Sequence, residues 1–496
     1  MKISKKFLAV ILAVTMLLTA VPVAFAEAET DYEITSPYET VDFSTVNQYK
    51  ADLHSHTTFS DGHETLPAMT ERHYELGFDI YAITDHGTTS TGYMTQTFNQ
   101  PLKLISWIKN GDVYNDVLSA NGTASNGNAY RVDTDAASKD EYYVQTVNGQ
   151  DGQKMLRVPF GNEQNPTSFN NAHVNTWFVD YGNGVLGGTS NYRSPISAVH
   201  DLGGLSVINH PGEYTNARDE ETQESAYNVD DAVYNYKINK FASILNEFDS
   251  CLGIDINSKG DGRTRYDRKL WDILLQKLVP NGRNVYAIAT TDAHNLEIVD
   301  SGYTMILMND LTSESLKNAM ANGHMFAASK YIGNTLEMQA YKAIAEKLGT
   351  PEAAQLVQML DTALSTGEKF YAGEDAVVPV VNNVVIDEAE DTISLSTENA
   401  VVIRWIADGE EICSGSTIDL DDYSDKIGSY VRAEIVGAGG VIYTQAFTLD
   451  YDGAPEAENL DNFFDFGGIV SLICDTIVKM LPYILPLRLI FAIAGK

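Results

Sequence analysis

The sequence predicts an α/β fold built on parallel strands, followed by a helical hairpin and a β-rich region. Short apolar, strand-like runs alternate with helical stretches from residue 49 to about residue 330, as is typical of parallel α/β barrels and sheets. After residue 375 the apolar residues instead recur with a period of two, which indicates strands with one buried face. A length of 496 residues with 44% hydrophobic residues fits a globular protein of several domains.

The first 26 residues predict a signal peptide and not a part of the fold. Three lysines precede an apolar run that ends in Ala24-Phe25-Ala26, a cleavage signal of the small-x-small type. We therefore expect export, with an extracellular or cell-surface location. An uncleaved membrane anchor is the alternative. Residues 27–48 are polar and acidic and predict a leader segment.

Residues 49–333 are interpreted as one domain. Helical stretches at Thr65–Leu76, Pro195–Leu202 and Tyr266–Leu278 lie between its predicted strands. Residues 88–150 are rich in Asn, Gly, Ser and Thr, and this composition predicts an insertion over one face. Seven segments predict strands: Tyr49–His54, Asp79–Thr84, Met155–Glu163, His173–Asp180, Leu205–His210, Cys251–Ile256 and Val285–Thr291.

The region after the predicted barrel divides into two parts. Residues 334–374 predict a helical hairpin, because Gly349-Thr350 separates two amphipathic helical stretches. Residues 375–452 predict a small β-sandwich. Tyr430 ends a D-x-x-G-x-Y pattern that resembles the tyrosine corner of immunoglobulin-like sandwiches. Arg432 occupies the position of the second immunoglobulin cysteine, so this sandwich is expected to lack a disulfide.

Residues 453–496 combine an acidic linker with an apolar C-terminal tail. Pro482 and Pro486 interrupt the apolar stretch, and this argues against a membrane-spanning helix. Contact with a membrane surface and docking against this protein or a partner are the two open interpretations.

The charge balance limits the possible partners. Asp and Glu total 68 against 33 Lys and Arg, a formal net charge of −35. This excess excludes a surface that coats nucleic acid generally, because phosphate backbones require a basic footprint. A small phosphorylated substrate or an oligonucleotide end held by metal ions is compatible with it. Three cysteines are too few for a disulfide framework.

Histidines and carboxylates cluster at the ends of the predicted strands. His54 and His56 lie two residues apart, and a period of two directs both imidazoles to one face. Asp61 follows in a turn and can add an oxygen ligand. His86, Glu163, His173, His210, Asp292 and His294 lie at the edges of other predicted strands. Imidazole and carboxylate groups together suit Zn, Mn or Fe.

These motifs resemble the PHP family, the polymerase and histidinol phosphatase domain. The matching segments are H-x-H-x4-D-G from His54, T-D-H at Thr84, G-x-E at Gly161, N-H-P at Asn209 and D-A-H at Asp292. The resemblance implies a distorted (βα)7 barrel and a site with two to three divalent metal ions, in which Glu163 is the bridging carboxylate. It implies His54, His56, Glu163, Asp292 and His294 as catalytic residues. The implied metal ligands are His54, His56, Asp61, His86, Glu163, His173, His210, Asp292 and His294.

The resemblance implies hydrolysis of phosphoesters by a metal-bridging hydroxide, in a phosphatase or in a phosphodiesterase or exonuclease. An amidohydrolase-like enzyme that cleaves amide or lactone bonds is one alternative, because it shares the H-x-H motif. A non-catalytic surface protein is another. Lys259, Arg263 and Arg265 follow a strand end and form either a phosphate-binding loop or an ordinary solvated one. Asp255 is interpreted as structural, and His63, His73, His200 and His324 match no motif.

Overall fold

The computed structural model describes residues 30–58, 60–86, 154–164, 172–179, 181, 192–460, 463–466, 469, 470 and 473, together with the backbone of three short strands between residues 122 and 146. The predicted signal peptide and most of the predicted insertion and apolar tail lie outside these residues. The strands are β1 Glu33–Thr35, β2 Asn47–Asp52, β3 Ile80–Tyr81, β4 Gly122–Thr123, β5 Ala129–Asp133, β6 Tyr142–Thr146, β7 Met155–Arg157, β8 Asn162–Gln164, β9 Val174–Trp177, β10 Leu205–Ile208, β11 Cys251–Asn257, β12 Tyr286–Ala289, β13 Gly302–Met308, β14 Met325–Ser329, β15 Tyr331–Ile332, β16 Phe370–Tyr371, β17 Val380–Asp387, β18 Thr392–Glu398, β19 Val402–Ala407, β20 Glu410–Ser414, β21 Thr417–Asp419, β22 Tyr430–Gly437, β23 Gly440–Tyr443 and β24 Phe447–Asp450. The α-helices are Leu66–Glu75, Arg193–Asp201, Pro211–Thr215, Ala232–Glu247, Asp267–Leu278, Ser313–Ala321, Thr335–Leu348 and Pro351–Thr366.

The fold is a mixed α/β arrangement with a β-rich C-terminal region. Parallel pairs join β2 to β3, β3 to β7, β10 to β11 and β11 to β12. These strands belong to two sheets, and a single bridge between Ser55 and Ala293 links the end of β2 to the loop after β12. This bridge brings the carboxyl ends of strands from both sheets to one edge.

Two of the predicted strands depart from the parallel pattern that the alternation of strands and helices predicts. The predicted strand Met155–Glu163 is divided into β7 and β8, because Pro159 has no N–H to donate and Phe160 adopts a positive φ of 55°. The strand that begins near His173 runs antiparallel to β10 as well as to β8. Among the described strands, the parallel pairs therefore make up only part of each sheet.

Local signals explain the helical hairpin well. Asn334 and Thr350 cap the two helices through hydrogen bonds from their side chains to backbone N–H groups of the first turn. Pro351 occupies the first turn of the second helix, where no N–H is required. Gly349 ends the first helix with φ 65°, a conformation that favours glycine.

The β-rich C-terminal region shares a sheet with the preceding part of the chain. β23 pairs with β14, and β14 in turn pairs with β13 beside β2. β1, from the segment predicted as a polar leader, pairs with β24. Segments from both ends of the described chain thus complete the sheet that carries His54 and His56.

Tyr430 does not form the predicted tyrosine corner. Its hydroxyl accepts a hydrogen bond from Gly409 N at 3.1 Å and donates to Asp272 Oδ1 at 2.9 Å. Asp272 belongs to the helix Asp267–Leu278, so Tyr430 joins the β-rich region to a helix of the α/β part. The pattern in the sequence could not reveal this partner because Asp272 lies far away along the chain.

A buried ionic network reinforces the same junction. Arg432 binds both carboxylate oxygens of Asp272 at 2.7 Å, and its third nitrogen lies 2.7 Å from Glu434. Arg404 and the hydroxyl of Tyr341 each lie 2.6 Å from Glu434 Oε2. Because these charges are buried and paired, removal of one member would leave another without compensation.

Two further findings concern cysteines and membrane spans. Cys251 and Cys413, the cysteines within the described segments, are both free thiols. No helix in the described part of the chain combines the length and the apolar character needed to cross a membrane.

Candidate metal centre

His54 and His56 follow β2 and point to the same side. Their Nε2 atoms lie 3.1 Å apart, whereas the hydroxyl of Ser55 between them donates to Ala82 O at 2.7 Å. Both histidines are fully buried. The alternation of a strand therefore directs two imidazoles into one site, as the H-x-H spacing predicts.

Glu163 lies at the centre of the site. Its Oε2 atom lies 3.3 Å from His54, 3.1 Å from His56 and 3.5 Å from His86. Its Oε1 atom lies 2.9 Å from His173 and 3.3 Å from His210. One carboxylate thus faces the imidazoles of five histidines from four separate segments of the chain.

Asp292 forms the second buried carboxylate of the site. Its Oδ1 atom lies 3.4 Å from both His54 and His56, and 3.5 Å from Nδ1 of His294. Its Oδ2 atom lies 3.5 Å from His210 and 2.7 Å from the ammonium of Lys259.

Asp61 lies at the solvent side of the site and is 56% exposed. Its carboxylate lies 3.3 Å from His294, 3.5 Å from His56 and 3.7 Å from His86. All nine residues that the sequence nominates as metal ligands therefore converge on one site.

The electrostatics keep the two central carboxylates ionised. Burial by itself raises the pKa of Glu163, but His173, His54 and His86 together hold it well below its ordinary value. Burial also raises the pKa of Asp292, but His54 and Lys259 outweigh burial and hold this pKa well below its ordinary value. Burial lowers the pKa of His86 to about 4. Carboxylates and a neutral imidazole are the protonation states in which these groups bind metal ions.

Several buried ligand atoms have no hydrogen-bond partner among the described residues. They are Nδ1 of His54, both ring nitrogens of His210 and Oδ1 of Asp292. Buried polar atoms normally form hydrogen bonds, so these atoms are suited to coordinate a cation. Ligand atoms within 4.8 Å of one another form four groups: His54, Glu163, His210 and Asp292; His56, Asp61 and His86; His56, Asp292 and His294; and His86, Glu163 and His173.

Backbone strain coincides with the ligands. His210 and Asp292 have φ values of 26° and 45°, which are unfavourable for residues with a side chain. Two residues after His210, the backbone N–H of Gly212 donates to the carboxylate of Asp267 at 3.0 Å. The hydroxyl of Tyr227 donates to the same carboxylate at 2.7 Å. Such strain persists where surrounding contacts determine the backbone conformation, and it concentrates at functional sites.

Sequence reasoning missed most of the residues that support the ligands. His73 was assigned to no motif, yet it is buried and its Nε2 lies 2.8 Å from Asp52. Asp52 in turn accepts the backbone N–H of His54 at 3.1 Å and that of Thr291 at 3.2 Å. The D-x-H spacing of Asp52 and His54 indicates that Asp52 supports the ligands. The position of His73 on a helix gives no such indication for His73.

Two more supporting residues lie next to the ligands. Asn209 donates to Oε1 of Glu163 at 2.7 Å. Asp255, interpreted as structural, accepts from Thr290 at 2.8 Å, and burial raises its pKa to about 7. Of the three other unassigned histidines, His63 has an exposed side chain and donates its backbone N–H to His294 O at 2.8 Å, whereas His200 and His324 are half-buried.

Comparisons with known proteins bear on the resemblance that the motifs indicate. Residues 52–139 match the family model described as the PHP domain, so the resemblance drawn from the motifs is confirmed. The match includes His54, His56, Asp61 and His86, and the other five nominated ligands follow it in the chain. No curated protein matches the sequence.

Three solved structures are similar to this chain at low sequence identity. A two-domain protein containing a predicted PHP-like metal-dependent phosphoesterase, from Bacteroides vulgatus ATCC 8482, is 12% identical; the alignment covers 85% of this chain and 91% of that one, with a TM-score of 0.35. PsfC from Pseudomonas syringae PB-5123 is 11% identical, with 64% and 99% covered and a TM-score of 0.32. The lesion-specific endonuclease PfuEndoQ from Pyrococcus furiosus is 12% identical, with 55% and 56% covered and a TM-score of 0.31.

Proposed function

We propose that this chain is an exported metal-dependent hydrolase that cleaves phosphoesters at a site with two or three divalent ions. The observation that carries the proposal is the position of Glu163, whose two carboxylate oxygens lie within 3.5 Å of five histidines. One carboxylate among so many imidazoles is suited to bridge two ions.

The ligand groups suggest how the ions would be distributed. His54, Glu163, His210 and Asp292 would hold one ion, and His86, Glu163 and His173 would hold a second. His56 belongs to two groups and would hold a third ion with Asp61 and His86 or with Asp292 and His294. Zn, Mn and Fe all accept this mixture of nitrogen and oxygen ligands.

The bound ions would supply a bridging hydroxide near neutral pH and neutralise the phosphate oxygens during in-line attack. The chain itself would keep Glu163 and Asp292 ionised and hold the imidazoles in place through the supporting contacts of Asp52 and Asn209. The substrate would be a small phosphorylated compound, a nucleotide or an oligonucleotide end.

The proposal includes contact of the C-terminal tail with a membrane surface or a partner. Phe464, Phe466 and Ile473 expose 68%, 64% and 54% of their surface. The segment begins on the helix Ala232–Glu247, where Tyr236 donates to Asp465 at 2.5 Å. Exposed apolar side chains of this kind are suited to bury against lipid or protein.

Metal analysis and a substrate panel test the proposed function. Purified protein reconstituted with Zn or Mn should retain two to three ions per chain and hydrolyse phosphomonoesters or phosphodiesters. Chelation should abolish this activity, and amide and lactone substrates should remain uncleaved. Retention of less than one ion per chain, or turnover confined to amides or lactones, would contradict the proposal.

A further inference from the structure

Lys259 places a positive charge directly beside the candidate metal centre. Its ammonium lies 2.7 Å from Oδ2 of Asp292 and its side chain is 20% exposed. Its backbone N–H donates to Thr291 O at 3.2 Å, one residue before Asp292. The ammonium therefore borders both the ligand cluster and the solvent.

The loop that carries Lys259 has an unusual and well-supported conformation. Lys259, Gly260 and Asp261 have successive φ values of 48°, 57° and 54°. Asp261 is buried and makes two contacts of 2.9 Å with Arg268. Thr264 adds a hydrogen bond of 3.0 Å to the same carboxylate. These contacts fix the backbone from which the Lys259 side chain projects before any substrate binds.

Two arginines lie on the same side of the site. Arg263 and Arg218 both contact Oε1 of Glu213, the latter at 3.4 Å. Oε2 of Glu213 lies 3.5 Å from Nδ1 of His210, a nominated ligand. The side chain of Arg263 is 37% exposed, so guanidinium donors that do not face Glu213 remain available to an anion.

We propose that Lys259 and Arg263 bind the phosphoryl group of the substrate and select a phosphomonoester over a phosphodiester. This inference rests on the proposed function and names its substrate class. A metal ion coordinated by Asp292 would compete with Lys259 for that carboxylate and free the ammonium for another anion. A monoester carries two negative charges and three terminal oxygens, whereas a diester carries one charge and two such oxygens. Two additional cations beside the metal ions therefore favour the monoester.

The test compares Lys259→Met with Lys277→Met in Mn-loaded full-length protein. Lys277 is a matched control, because its side chain is 19% exposed and its ammonium lies 2.8 Å from Glu458, away from the site. Binding of inorganic phosphate is measured by calorimetry, and kcat/KM is measured for p-nitrophenyl phosphate and for bis(p-nitrophenyl) phosphate. Loss of a charge-assisted hydrogen bond should weaken phosphate binding by about 10- to 100-fold in Lys259→Met. The monoester-to-diester ratio of kcat/KM should fall at least about tenfold, with no change in Lys277→Met.

Arg263→Gln provides a second variant with the same expected direction. Unchanged phosphate affinity together with an unchanged monoester-to-diester ratio in both site variants would overturn the inference, and Lys259 would then act only as a counterion of Asp292. Loss of bound Mn from Lys259→Met would also count against it. If the wild type binds Mn but cleaves neither ester, the proposed function fails. In that case the phosphate affinities of the variants still decide whether Lys259 and Arg263 bind the anion.

Discussion

Gln445 makes two hydrogen bonds with the backbone of Ala287, as a neighbouring strand would. Its Oε1 accepts the Ala287 N–H at 2.8 Å and its Nε2 donates to Ala287 O at 2.8 Å. Gln445 lies between β23 and β24, and Ala287 lies in β12, which leads to Asp292. The β-rich C-terminal region thus satisfies backbone groups of the strand that ends at the metal centre.

We expect Gln445→Ala to lower the free energy of unfolding by about 1–3 kcal/mol, because it leaves a buried N–H and a buried C=O of β12 without partners. Urea unfolding followed by circular dichroism measures the effect. Asn382→Ala is the control, since its amide bonds Glu398 at the surface. Equal stability of the two variants would refute the supporting role of Gln445.

Removal of a nominated ligand should abolish most of the activity. His54→Ala and Asp292→Asn should each lower turnover by at least about 100-fold, the scale expected when electrostatic stabilisation at the reacting centre is lost. Metal analysis should show fewer ions per chain in both variants. His200→Ala, which changes a half-buried histidine that bonds Ser250, should keep its metal content and turnover. Wild-type turnover in His54→Ala would exclude His54 from the site.

His73 is not a nominated ligand, and we expect its side chain to stabilise the fold. His73→Ala removes the contact with the buried Asp52 carboxylate and should destabilise the fold by about 3 kcal/mol, as expected when a buried polar pair is broken. Thermal unfolding of metal-free protein separates this effect from metal binding. The matched change His63→Ala affects an exposed histidine and should leave the melting temperature unchanged. Similar melting temperatures for both variants would contradict this role.

Glu434 should contribute a stability that depends on pH. Burial raises its pKa, but Arg404 and Arg432 outweigh burial and lower it from 4.5 to about 2. Because the folded-state pKa lies below the unfolded value, the stabilisation is present above about pH 4.5 and is lost as the pH falls toward 2. Glu434→Gln should therefore destabilise the protein by about 3 kcal/mol at pH 7, with a smaller difference at pH 3.

Urea unfolding of wild type and Glu434→Gln at the two pH values measures this dependence. Glu411→Gln is the control, because Glu411 lies 3.5 Å from the same Arg404 and is 35% exposed. A difference between wild type and Glu434→Gln that stays constant from pH 7 to pH 3 would disprove the assignment.

Deletion of the residues after Asp461 should move the protein from the cell-associated to the soluble fraction without loss of catalysis. The expected cause is the removal of exposed apolar side chains such as Phe464 and Phe466. Sedimentation with liposomes measures the same property in purified protein, and Phe464→Ser is a milder variant for comparison. Full-length protein that neither binds liposomes nor associates with cells would show that the tail has another role.

Local patterns made much of this protein predictable. A period of two predicted that His54 and His56 share a face, and the break at Gly349 and Thr350 divided the two hairpin helices. The family motifs nominated nine ligands in chain order, and the structure brings all nine together. These signals are local because they depend on backbone periodicity and on short spacings along the chain.

Only the tertiary structure decided which distant residues meet. The partners of Asp52, Tyr430 and Ala287 come from other parts of the chain, and no spacing in the sequence indicates His73, Asp272 or Gln445 as those partners. The direction of each strand likewise depends on non-local pairing. The same is true of the sheet that both ends of the described chain share. Such contacts form only when the polar groups and apolar faces of several elements are satisfied together, and for this reason the composition and period of each element alone leave them undetermined.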